Sequence, residues 1–268
     1  MNKQNPPNGI EWTRLPNPDD PQTTLDGYTW NPVGGCRHNC QWQVNGALVE
    51  CYAKTVAERV ASSKYPNGFD AHYWNPERLA EPGRVKKPSG IFLDSMSDLM
   101  GQTVPAQQIQ QVLDVCAQTP HHTYFLLTKN APRLREFVFP SNVWVGVSMA
   151  PDYMYGRELS SGQKERYMER ALEILAERRF AFGNITWMSA EPLSWDISHL
   201  IRNYPNALNW VVIGAASNGR TYYPPQLNHL LPLEKELGNT PVFYKGNMKC
   251  LPYAAEHWRK EFPIRRGK

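Results

Sequence analysis

Seven short runs of aliphatic, β-branched and aromatic residues recur along the chain, at 28–31, 91–94, 123–127, 143–147, 185–188, 210–213 and 242–244. They are nearly continuous in apolar character, the pattern of strands covered on both faces. Between them the apolar period lengthens to that of a helix. Ala53, Val56, Ala57 and Val60 fall at i, i+3, i+4 and i+7, and Ile109, Val112, Leu113 and Cys116 repeat the spacing. The second run follows Thr103-Val104-Pro105, a cap and first-turn signal. Residues 163–179 read as a third helix, with Tyr167, Ala171 and Leu175 on one face and charge elsewhere. Strands alternating with helices at this interval imply parallel strands joined by right-handed crossovers. Seven strands favour an α/β fold, a full or partial (β/α) barrel with parallel strands. An open doubly wound sheet is the alternative, although no GxGxxG follows any strand.

Nearly every predicted strand runs into a polar residue at its C-terminal end. These are Asn31; Asp94, Ser95 and Asp98; Thr128 and Lys129; Ser148; Ser189 and Glu191; Ser217 and Asn218; and Lys245 and Asn247. In a barrel, that end is where the loops converge on substrate. A single Ser, Asp or Asn serves equally well as a helix cap. Lys129 and Glu191 are poor caps, however, so the set as a whole reads as a polar mouth. The flanks differ from this central region of 28–250. Residues 1–27 hold Pro6, Pro7, Pro16, Pro18 and Pro21 among Asn, Asp and Gln, and read as an arm with a short strand at 10–13. Residues 81–90 read as a surface loop, and 251–268 as a basic tail with Arg259, Lys260, Arg265, Arg266 and Lys268.

Composition narrows the class. The chain has 268 residues, 41% of them hydrophobic, enough for a sizeable core in one or two domains. No run approaches the ~18 apolar residues of a membrane helix. The N-terminus has no apolar h-region, so a cytoplasmic protein is expected. A net charge of +4 permits a nucleic-acid partner without arguing for one. Five cysteines, an odd number, argue against a disulfide framework. Three of them, Cys36, Cys40 and Cys51, lie in GGCRHNCQWQVNGALVECYA, a C-x3-C-x10-C spacing after the first strand. Gly34 and Gly35 permit the tight turn a metal centre needs. Thiolates select zinc or iron–sulfur. Zinc wants a fourth ligand, and His38 is at hand, but the usual paired C-x2-C knuckle is absent. A three-cysteine iron–sulfur cluster leaves one iron open to a small molecule. Cys116 reads as a core residue. Cys250 is unassigned, and as a fourth ligand it would close the open iron.

The segments IEWT, TWNPVGGC…CYA, GIFLDSMSDLM, HTYFLLTKNAPRL, NVWVGVSM, WMSAEPL, WVVIGAASNGR and VFYKGN occur in the order typical of one family. The chain resembles, over roughly residues 10–247, an uncharacterised phage- and mobile-element-associated family with a three-cysteine motif, related to radical S-adenosylmethionine (SAM) enzymes. Commoner members carry C-x7-C-x2-C, and this chain also has a Pro-rich insertion at about 14–27. The resemblance implies the partial form of the (β/α) barrel. It also implies that Cys36, Cys40 and Cys51 ligate a [4Fe–4S] cluster and that SAM chelates the fourth iron. Reductive cleavage of SAM would then generate a 5′-deoxyadenosyl radical. It further implies that Asn31, Asp94, Ser95, Asp98, Lys129, Ser148 and Glu191 surround SAM, and that a flavodoxin or ferredoxin supplies the electron. Two other functions compete: a zinc module that binds nucleic acid through its basic tail, and a phage structural protein. For the substrate, a nucleic acid or nucleotide is preferred over a peptide or small molecule. Trp42, Tyr52, Tyr73 and Trp74 are candidates to stack on bases, and Lys129, Arg133 and Lys245 to meet phosphates.

Overall fold

The computed structural model describes residues 1–5, 9–219 and 221–263. Pro6, Pro7, Arg265, Arg266 and Lys268 therefore lie outside the described residues. Ten strands matter here: β1 (Asn2–Lys3), β2 (Asp26–Trp30), β3 (Gln41–Val44), β4 (Ala47–Glu50), β5 (Ser89–Leu93), β6 (Thr123–Thr128), β7 (Val143–Ser148), β8 (Thr186–Ala190), β9 (Trp210–Ile213) and β10 (Val242–Tyr244). Each of the seven predicted strands forms. One sheet runs in the order β1-β2-β5-β6-β7-β8-β9-β10, with β1 antiparallel and the other seven parallel. Because the order never reverses, the switch point of a doubly wound sheet is absent. The sheet curls into a half-barrel and stays open, since its edges β1 and β10 do not pair.

The predicted helices are α1 (Tyr52–Arg59), α2 (Ala106–Gln118) and α3 (Ser161–Phe182). A capping box between Ser160 and Gln163 starts α3, and Gly183 at φ 68° ends it. Among the described residues no helix is long and apolar enough to cross a membrane.

Side chains alternate across a strand with period two, and here the two faces have different compositions. Outward residues such as Ile91, Leu93, Tyr124, Leu126, Val145, Val147 and Met188 pack under α2, α3 and their neighbours. Inward residues at the lower end of the sheet are aromatic: Phe92, Phe125, Trp144, Trp187, Trp210 and Phe243 form one buried cluster. Gly146 makes room for it. A Cβ there would fall onto the Trp187 indole, 2.8 Å from Cδ1 and closer still to other ring atoms. Further along the same inward rows the residues become polar: Asp94, Lys129, Ser148, Ser189, Glu191 and Lys245 all face the mouth. The half-barrel thus has an aromatic floor and a polar rim.

Residues 10–13 make a 3-10 turn, Glu11–Thr13, in place of the expected strand. Trp12 is 2% exposed and wedges into the aromatic floor, with ring centres 4.8 Å from Phe92, 5.1 Å from Trp187 and 5.4 Å from Phe125. The Glu11 carboxylate accepts the Gly246 N–H at 3.0 and 3.2 Å, just beyond β10. Residues 81–90 also depart from a plain loop, because Glu81–Arg84 is a helical turn and Ser89 opens β5. Beyond β10 the chain folds back along the edge, where Tyr244 N–H donates to Arg259 O and Glu261 N–H to Val242 O.

Candidate functional site

A cavity of about 600 Å³ opens at the C-terminal ends of the strands. The ten residues that the resemblance assigns to a cluster and SAM line it: Cys36, Cys40, Cys51, Asn31, Asp94, Ser95, Asp98, Lys129, Ser148 and Glu191; of the predicted polar mouth, Thr128, Asn218 and Asn247 do not. Trp12, His38, Trp42, Tyr52 and Lys245 line it too.

The first cysteine sits on a braced loop. Gly35 has φ 83°, and a Cβ there would run into the Ala71 carbonyl oxygen and lie 2.9 Å from that of Phe69. Only glycine lets the two backbones approach so closely. The approach lets Cys36 N–H donate to Phe69 O at 2.8 Å and Gly35 N–H to Met96 O at 3.0 Å. Asp94, at φ 53°, accepts the Val33 N–H through Oδ1 at 3.0 Å. Its Oδ2 is buried and has no hydrogen-bond partner among the described residues. Asn31 Oδ1 accepts both the Ser95 hydroxyl and the Met96 N–H, each at 3.1 Å. These bonds tie the loop after β2 to the loop after β5.

The ten residues between Cys40 and Cys51 are a β-hairpin, β3 and β4, turning at Asn45-Gly46 with φ 49° and 77°. The sequence carried the signal, an Asn-Gly pair flanked by alternating Trp42, Val44, Ala47 and Val49. At the hairpin base Cys51 N–H donates to Cys40 O at 3.0 Å. Two distant cysteines in sequence thereby become neighbours across a ladder.

Burial pushes the Cys36 thiol well up and the Cys40 thiol up to about 12. Bare, both stay protonated near neutral pH. For Lys129, burial opposes the charge, but the neighbouring thiols as they ionise, together with the Asp98 carboxylate, outweigh it and raise the pKa. Its ammonium lies 5.6 Å from the Trp42 ring centre, and its backbone N–H donates to Asp98 Oδ2 at 2.8 Å. Asp98 is therefore largely occupied, with Oδ1 accepting Met100 N–H at 3.0 Å. His38 Nδ1 stands 3.5 Å from Asp98 Oδ2. Burial lowers the His38 pKa against the pull of Asp98. Opposite the cysteines, Lys245 pairs with Glu191 Oε2 at 2.7 Å, and Trp12 Nε1 donates to Glu191 Oε1 at 3.1 Å.

Among the described residues no three of His, Cys, Asp and Glu are arranged to share a single metal ion. Cys116 is buried in the core, while Cys250 is exposed and not part of the cavity lining. The remaining substrate candidates divide. Trp42, Tyr52, Lys129 and Lys245 reach the cavity, whereas Tyr73, Trp74 and Arg133 do not. The Arg133 guanidinium donates instead to the Gly101 and Val104 carbonyls. Trp12 escaped the sequence reading because a Pro-rich flank conceals a core residue.

Two solved structures of similar fold are a spore photoproduct lyase complexed with dinucleoside spore photoproduct and a double mutant of that lyase with bound AdoMet and the same dinucleoside. Identity to the first is 10%, over 87% of this chain and 66% of the other, with a TM-score of 0.47. For the second the values are 9%, 86%, 65% and 0.45. The chain thus spans just under two thirds of the length of either. No curated protein matches it. Residues 10–245 match the family model of proteins of unknown function DUF5131, and the chain belongs to that family.

Proposed function

We propose that this protein is a radical SAM-type enzyme whose site is the cavity at the half-barrel mouth. The observation that carries the reading is the meeting of Cys36, Cys40 and Cys51 in one cavity that includes no other cysteine. Their shared cavity, their burial and the charge of Lys129 beside them fit a [4Fe–4S] cluster with one iron free of protein. Cys36, Cys40 and Cys51 would hold such a cluster, which would supply the single electron for reductive cleavage of SAM and so start radical chemistry on a substrate. The chain's own residues bind, orient and shield. Lys129 offsets the negative charge of the thiolates. Asp94 Oδ2, buried and unpartnered, is an acceptor suited to the SAM ammonium. Asn31 and Ser95 hold the loop that carries it, and Ser148 offers a hydroxyl on the neighbouring row. Glu191 is fixed by Lys245 and Trp12 and faces the far side of the cavity. The aromatic floor keeps water from entering below. In this reading the protein works in a reducing cytoplasm with a flavodoxin- or ferredoxin-type donor. A nucleotide or nucleic-acid substrate is favoured by Trp42, Lys129 and Lys245 in one cavity.

Anaerobic purification with iron and sulfide analysis, paired with an assay for 5′-deoxyadenosine, tests the reading. A brown protein that cleaves SAM is expected. Cys36→Ala, Cys40→Ala and Cys51→Ala each abolish both properties, and Cys250→Ala leaves them intact. Iron-free, colourless protein after reconstitution refutes it. Stoichiometric zinc with a stability loss in His38→Ala would support the zinc module instead.

A further inference from the structure

We propose that the β3–β4 hairpin is a specificity module separable from the cysteine frame. Its base closes the gap between Cys40 and Cys51, and its body supplies the Trp42 wall against which the base of a nucleotide stacks. The first half rests on the cluster reading above.

The hairpin base carries the argument. Cys51 N–H donates to Cys40 O at 3.0 Å, and Gln41 pairs with Glu50 immediately above. A carbonyl bonded to an N–H in this way is also the closure of a tight turn, where only two residues intervene. Two residues therefore span the same gap as the ten present. The other eight are surplus to the cysteine frame, and their anchors lie elsewhere. Gln41 pairs with Tyr153, Gln43 N–H donates to Asp152 Oδ2 at 2.9 Å, and Asn45 Nδ2 donates to Pro224 O at 2.9 Å. The hairpin is held on both flanks as a fixed wall.

Its two faces differ. Gln43, Leu48 and Glu50 are exposed, while Trp42, Val44 and Val49 are buried. Trp42 and Val49 reach the cavity, with the Lys129 ammonium 5.6 Å from the indole centre. An indole with an ammonium nearby matches a planar base that carries phosphate. The nucleotide is recognised by the same chemistry whether free or within a strand.

Two variants test this: residues 41–50 replaced by Asn-Gly, and Trp42→Ala. Each is compared with wild type for iron and sulfide content, for the electron paramagnetic resonance spectrum of the reduced centre and for folding by circular dichroism. Titration calorimetry of the reconstituted protein with SAM then measures binding of each 5′-mononucleotide and of a short single-stranded oligonucleotide. Both variants are expected to load iron as wild type does and to bind nucleotide tenfold or more weakly. Tight oligonucleotide binding without mononucleotide binding identifies the strand as the source. A folded excision variant that takes no iron when wild type does overturns separability. If excision prevents folding, iron loss in Trp42→Ala overturns it instead. Nucleotide binding that is absent in wild type, or equal in wild type and Trp42→Ala, overturns the stacking wall. Iron-free wild type is a failure of the cluster reading itself, and the nucleotide titrations then decide the hairpin's role alone.

Discussion

Replacing Gly35 with alanine probes the loop that presents Cys36, and a second glycine supplies the control. Both Gly35 and Gly46 have positive φ, 83° and 77°. A side chain at either site costs about 1–2 kcal/mol for the left-handed backbone alone. At Gly46 nothing lies within 4 Å of the added Cβ, so the cost ends there. At Gly35 the Cβ meets the Ala71 and Phe69 carbonyl oxygens, which are backbone and cannot swing aside. Segment 69–71 must move, and the bonds Cys36 N–H to Phe69 O and Gly35 N–H to Met96 O go with it. Each contributes about 0.5–1.5 kcal/mol net. The total for Gly35→Ala is then roughly 2–5 kcal/mol from backbone strain plus the two bonds. At about 2–4 °C per kcal/mol this lowers Tm by on the order of 10 °C, against a few degrees for Gly46→Ala. Calorimetric melting of the two variants and wild type measures the difference, and iron content after reconstitution follows the site. Gly35→Ala should lose iron while Gly46→Ala keeps it. Equal melting temperatures for the two variants would refute the close-approach argument.

The remaining predictions concern the carboxylates and the indole that holds one of them. Burial holds the Asp94 carboxyl well above its ordinary range, so with no cation against Oδ2 its protonated form is the one the fold favours. Its contribution to stability is present below the unfolded carboxyl value and is lost as pH rises through the folded one. Asp94→Asn keeps an acceptor for the Val33 N–H and tolerates the positive φ. Urea titrations from acid to neutral pH should show the variant gaining on wild type as pH rises, and a parallel pH dependence would count against the argument. Asp94→Ala, lacking the acceptor, should lose about 1–3 kcal/mol relative to Asp94→Asn. Trp12→Phe retains an aromatic wedge but drops the N–H donated to Glu191. A loss of about 1.5–3 kcal/mol is expected for a bond to a charged group, read from the urea midpoint, and an unchanged midpoint would show that Lys245 alone fixes Glu191.

Much of the frame is legible locally. Continuous apolar runs marked β2 and β5–β10, because a strand covered on both faces needs no polar alternation. Helical spacing marked α1, α2 and α3 for the matching reason. The polar residues after each strand were legible as a set because parallel strands deliver all their C-terminal ends to one rim. The Asn-Gly turn of the hairpin was equally local, but the cysteine spacing drew attention to the metal and away from the ten residues within it.

By itself the sequence determined the core strands β2 and β5–β10, the helices α1–α3 and most of the residues that share the mouth. Those follow from side-chain periodicity and chain connectivity, which act over a few residues at a time. Tertiary structure alone decided how far the sheet closes, because that depends on the curl summed over all eight strands. It placed Trp12, from a Pro-rich flank, in the floor beside Phe92 and Trp187. It turned Arg133 into the fold and left Asp94 Oδ2 buried without a partner among the described residues. Each of these depends on which distant surfaces meet, and no local pattern of polar and apolar residues encodes that meeting.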